Sequence, residues 1–210
     1  MTNFEETINA DIYWRQSELA SIRTLPYRYN LSNFDRQILT KYLVTAIYAL
    51  WEGYVKYIFQ EYIREINKLA LTYEKLESRY IEHTLNSNEK TNLKVPREKI
   101  KARLNFIEEF YNTITQPAFQ ISMKIPTESN VDFKVISKIL NQFNLSCLDD
   151  KYKGDLEKLL NYRNHIAHGD NAITVTATDI LQFSNLINDL MVDIFDIANV
   201  GLLKKVFLKV

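Results

Sequence analysis

The sequence predicts an all-α protein, a helical bundle arranged around one long central helix. Three observations carry this. Only four Gly and four Pro occur among 210 residues, so tight turns are scarce. Apolar residues recur at helical spacing over long stretches. Ser/Thr residues followed three positions later by a carboxylate mark several helix starts. The length suits a single domain spanning residues 1–210, with the stretch from about 72 to 150 read as an insertion before the last two helices.

Thr2 and Glu5 form the first capping box, ahead of Phe4, Ile8, Ile12, Leu19 and Ile22, and this helix is expected to stop near Thr24 because Pro26 disfavours helix in the residue before it. Ser32 and Asp35 open the central helix, in which Phe34, Ile38, Tyr42, Leu43, Ile47, Leu50, Tyr54, Ile58, Tyr62 and Ile66 keep one period. Gly53 lies in its middle, where a bend and the close approach of another helix are expected. From about Glu74 to Asn92 the chain turns polar, and His83 reads as a surface histidine. Pro96 is placed to start a helix through Phe106 and Phe110. A short helix follows over Val131 to Phe143, and Thr176 with Asp179 caps the last one, which carries Ile180, Phe183, Leu186, Ile187, Leu190 and Ile194.

Chemistry concentrates in Asn161-Tyr162-Arg163-Asn164-His165-Ile166-Ala167-His168-Gly169-Asp170. Asp155 is the expected N-cap of the helix that carries it, and Leu156, Leu159, Leu160 and Ile166 supply the buried stripe. Gly169 is the expected stop, because a residue without Cβ takes the left-handed conformation at little cost. His168 therefore falls at a helix C-terminus. Arg163 offers a planar fork of donors suited to phosphate, and an imidazole with a reference pKa of about 6.5 suits proton transfer near neutral pH. Asn164 and His168, four apart, share a helical face.

At these residues the chain resembles the HEPN superfamily. Arg163 to His168, Arg-Asn-His-Ile-Ala-His, matches its Arg-x4–6-His signature, including the polar residue directly after the arginine. The run from Tyr27 to Tyr57, with Arg28-Tyr29-Asn30-Leu31 and Ala49 to Val55, resembles a bacterial, RiboL-PSP-type branch of HEPN-like nucleases. The resemblance implies a helical domain that dimerises face to face, with the motifs of both copies lining one cleft. Active members are metal-independent endoribonucleases, many of them toxins or effectors of phage defence; others are inactive.

Composition narrows the alternatives. Twenty-six basic residues balance twenty-six acidic ones, so RNA binding must rely on a local patch. The best candidate is Lys94, Arg97, Lys99, Lys101 and Arg103, with a solvated helix face as the plainer reading. The single cysteine, Cys147, excludes an intramolecular disulfide and fits a reducing compartment. The longest apolar run, Tyr42 to Trp51, is far shorter than the roughly 20 residues that span a bilayer, so no membrane contact and a cytoplasmic location are expected. There is no Gly-rich phosphate loop, no serine elbow and no Cys/His cluster; His165 and His168 alone fall short of the ligands zinc needs, so no metal or cofactor is expected.

Resemblance and residue chemistry together imply RNA cleavage by attack of the ribose 2′-hydroxyl on its own phosphate. His168 would move a proton, Arg163 would stabilise the phosphorane, Asn164 would hold imidazole or phosphate, and His165 would touch RNA at the rim. Glu52 is a supporting carboxylate in one reading and a solvated glutamate in the other, favoured one. Expected partners are RNA, a second copy of the chain and an antitoxin or defence protein. The rival class is a non-enzymatic helical dimer that binds a partner protein or nucleotide.

Overall fold

The computed structural model describes residues 3–89, 91–92, 100–128, 130–170 and 173–209. Among them are seven α-helices and no strand: α1 (Asn3–Arg28), α2 (Asn33–Asn67), α3 (Ser78–Ser87), α4 (Ile100–Ile114), α5 (Phe133–Gln142), α6 (Lys153–Ala167) and α7 (Ala177–Leu203). The protein is all-α, as the periodicity predicts. Thr2, Pro96 and the basic residues Lys94, Arg97 and Lys99 lie outside the described residues. No helix among those described is long and apolar enough to cross a membrane.

At 1.5 Å per residue the 35 residues of α2 span about 50 Å. Ser32 Oγ accepts from Asp35 N–H at 3.1 Å and starts it. Helices α1, α6 and α7 all pack along α2, and α7 also packs on α1. From Leu43 onward α2 is buried on nearly every turn, through Val44, Ile47, Tyr48, Trp51, Tyr54, Ile58, Tyr62 and Ile66. Gly53 admits α1: a Cβ there would stand 3.1 Å from Arg15 Nη1, which donates to Leu50 O at 2.8 Å. The expected insertion joins the same hydrophobic core, through Tyr80, Phe119, Ile121, Val131, Ile136, Ile139 and Phe143.

Three expectations need correction. Helix α1 does not stop at Thr24 but runs through Pro26 to Arg28. Pro26 cannot donate to Ile22 O, four residues back, but the helix runs only two residues beyond it, and Arg36 Nε meets the end carbonyl of Pro26 at 3.1 Å. Asp155 does not cap α6, because a 3-10 turn over Asp150–Tyr152 runs straight into the helix and sets its start at Lys153. Asp149 caps that turn instead, accepting from Lys151 N–H at 2.9 Å.

The start of α2 carries a bare apolar stripe: Phe34, Ile38 and Tyr42 are 70%, 42% and 59% exposed. Helical spacing identifies the face but not what covers it. The third correction is His83, which is only 4% exposed, with its ring edge on Phe143 and Nε2 3.0 Å from Ser122 O. Helix α3 buries Tyr80, His83 and Leu85, with Tyr80 and His83 on one face, so the imidazole occupies a core position of an otherwise polar segment.

Burial holds the His83 pKa below its usual value, partly offset by the Ser122 carbonyl and Glu82. The unfolded chain then binds the extra proton first, so His83 contributes stability that is full above about pH 6.5 and is lost as pH falls through the lower folded-state value. Thermal melts of wild type and His83→Gln at pH 7.5 and 5.5 check this. The wild type should lose more stability on acidification than the variant.

Candidate active site

The motif occupies the last turns of α6 and the loop after it. Leu156, Leu159 and Ile166 are buried and seat α6 against the core, which fixes the rotation of the polar residues between them. The helix ends in a Schellman motif: Asp170 N–H donates to His165 O at 2.9 Å and Gly169 N–H to Ile166 O at 3.1 Å. Gly169 has φ +76°, the left-handed conformation expected of it, and His168 is the C-cap. The His168 ring is exposed and has no hydrogen-bond partner among the described residues.

Arg163 points to the other side of α6, onto α2. Its guanidinium lies over the Tyr48 ring, 4.2 Å from the centroid, a cation–π stack. One end donates to Asn164 Oδ1 at 2.9 Å and the other to Asn130 Oδ1. The Tyr48 hydroxyl accepts from Val131 N–H at 2.6 Å, and burial raises its pKa, so the ring is a neutral platform. Asn164 thus bonds Arg163 rather than the imidazole. No hydrogen bond joins Arg163 to His168.

His165 is more organised than a rim residue. Its Nδ1 lies 2.7 Å from Asp170 Oδ2, and both side chains are half-buried. Lys41 of α2 reaches the same loop and donates from Nζ to Asp170 O at 2.7 Å, a cation at the electronegative end of α6. Glu52 pairs with Lys56 at 2.6 Å, one α2 turn on, and bonds neither Arg163 nor His168. Lys101 and Arg103 lie exposed on α4, which buries none of its residues. Among the described residues no group of three His, Cys, Asp or Glu is placed to hold a metal ion.

Sequence reasoning missed Lys41, Tyr48 and Asn130. The first two lie seven apart on α2, two turns of the helix, so a search for residues facing the motif helix could have proposed them. Asn130 comes from a loop 33 residues upstream, and no local signal marks it.

Gly169→Ala should cost about 1–2 kcal/mol, since a side chain in the left-handed region strains the turn. Gly169→Asn should cost less. Urea denaturation of the three proteins checks the order.

A family model described as RiboL-PSP-HEPN matches residues 10–200, nearly the whole chain. Comparisons with curated proteins and with solved structures each give no match. The match takes in both the Arg163-to-His168 motif and the α2 platform beneath it, and the chain therefore belongs to the RiboL-PSP-HEPN family.

Proposed function

We propose that this protein is a metal-independent endoribonuclease that acts as a two-fold dimer, in the manner of a toxin or phage-defence effector. Family membership points to a nuclease-like or RNA-related role. The observation that carries the reading is the placement of the motif: α6 delivers His168 to solvent at its end and holds Arg163 on the Tyr48 platform one turn earlier. An exposed imidazole can move protons to and from substrate, and a guanidinium stacked on an aromatic ring keeps its orientation while exchanging amide partners for phosphate oxygens. The nucleophile is the substrate's own 2′-hydroxyl. Lys41 adds a cation beside the loop.

The bare stripe of Phe34, Ile38 and Tyr42 supports the dimer. It runs along the α2 surface next to Lys41 and Tyr48, and a contiguous apolar face of this kind marks an interaction surface. An isologous pairing through it would bring both motifs to one cleft. A second reading, a non-enzymatic dimer that binds a partner protein or nucleotide, draws on one observation: the Arg163 fork is already engaged by Asn130 and Asn164, as a purely structural arginine would be.

The wild type should cut a labelled structured RNA in excess chelator, leave the all-deoxy analogue intact, and release 2′,3′-cyclic phosphate and 5′-hydroxyl ends. His168→Ala should lose about 10²–10⁴-fold, and Arg163→Lys should also be poor because a point charge does not reproduce the fork. Cleavage that requires added zinc would refute the metal-free mechanism. A stable complex with another protein, without RNA cleavage under any condition, would favour the second reading.

In light scattering at micromolar concentration the wild type should be a dimer. Tyr42→Asp combined with Ile38→Asp should yield monomer with lowered activity. A fully active monomeric wild type would contradict the shared cleft.

A further inference from the structure

The cleavage proposed above moves two protons. The 2′-oxygen bonds to phosphorus and gives up its proton, the bond from phosphorus to the 5′-oxygen breaks, and that leaving oxygen takes a proton up. No proton is consumed overall, but one group must accept while another donates. One His168 can serve one end only, so the second group is either another residue of the same motif or the matching residue of the second copy across the shared cleft. Around the motif, Tyr48 is buried with its oxygen occupied by Val131 N–H, and Lys41 is spent on the Asp170 carbonyl.

His165 remains, and it is built for the task. A carboxylate can only accept, so the 2.7 Å contact with Asp170 Oδ2 places the neutral ring's proton on Nδ1 and its lone pair on Nε2. Asp170 is itself fixed three ways: its carboxylate holds the ring, its N–H donates to His165 O, and its carbonyl accepts from Lys41. The Schellman turn at Gly169 is what brings residue 170 back over residue 165. A base whose second nitrogen is oriented by a carboxylate is the arrangement that activates hydroxyl nucleophiles. The His165 side chain is 40% accessible, so Nε2 can meet a substrate hydroxyl.

We propose that His165 is the general base that takes the 2′-hydroxyl proton through Nε2, that Asp170 is its positioning residue, and that His168 is the general acid for the 5′-oxygen. This rests on the ribonuclease reading of the same site.

The test uses the full chain and two substrates with one scissile ribose, one natural and one with sulfur in place of the bridging 5′-oxygen. A thiolate leaves without being protonated, so the sulfur substrate needs no general acid. His168→Ala should be slow on the natural substrate and recover most of its rate on the sulfur one. His165→Ala and His165→Gln should lose about 10²-fold or more on both. Asp170→Asn should lower kcat about tenfold or more with KM unchanged, and should add nothing in a His165→Ala background. A structural role at the turn would instead lower activity in both backgrounds.

Nitrogen-15 shifts of the free wild type supply a readout independent of activity, and they should show the Nδ1–H tautomer at His165. Activity of His165→Ala within threefold of wild type, recovery of His165→Ala on the sulfur substrate, or an Nε2–H tautomer would each overturn the assignment while leaving the ribonuclease reading intact. A folded wild type that cuts neither substrate would overturn both.

Discussion

Val131 is tied to α2 by both of its backbone groups. Its N–H donates to the Tyr48 hydroxyl at 2.6 Å, and its carbonyl accepts from Trp51 Nε1 at 2.8 Å. All of these groups are buried, so each would pay the full cost of an unmet polar group, about 1–3 kcal/mol, if its partner were removed. The clamp fixes the loop ahead of α5 on the spine of the fold. It also sets Asn130 against Arg163 and leaves the Tyr48 ring facing the guanidinium. The site is thus assembled from a helix, a spine and a distant loop by one pair of aromatic side chains.

The same device recurs along α2. Tyr54 donates to Met191 O at 2.7 Å and so joins α2 to α7, while the Tyr62 and Tyr80 hydroxyls meet at 2.9 Å and Tyr80 donates to Phe143 O at 2.5 Å. Burial lifts these phenols well above their ordinary pKa, so they remain neutral donors. Aromatic side chains bury large apolar bodies and still carry one polar atom that must be met. A core of leucines would fill the space, but it would specify less sharply how α3, α5 and α7 sit on the spine.

Much of this was legible in the sequence because it is local. The α2 and α7 periods, the Ser32 and Thr176 caps, and the left-handed stop at Gly169 depend on residues within a few positions of one another. What was not legible is mutual. The burial of His83 depends on Phe143 and Ser122, which lie far along the chain, and the bareness of Phe34, Ile38 and Tyr42 depends on which helices turn away from that end of α2. The motif residues were identified, but the reach from Asn130 to Arg163 and the return of Asp170 to His165 are geometric facts of the folded loops. Periodicity says which face of a helix is apolar; only the assembled chain says who meets it.

The chain has two tryptophans, and their surroundings differ sharply. Trp14 is half exposed on α1, while Trp51 is fully buried with its indole N–H on Val131 O. Aqueous iodide can therefore quench the light of Trp14 and leave that of Trp51. The surviving emission comes from a ring bonded to the residue next to Asn130. The protein carries its own optical gauge, whose colour reports whether the loop that supports Arg163 is docked.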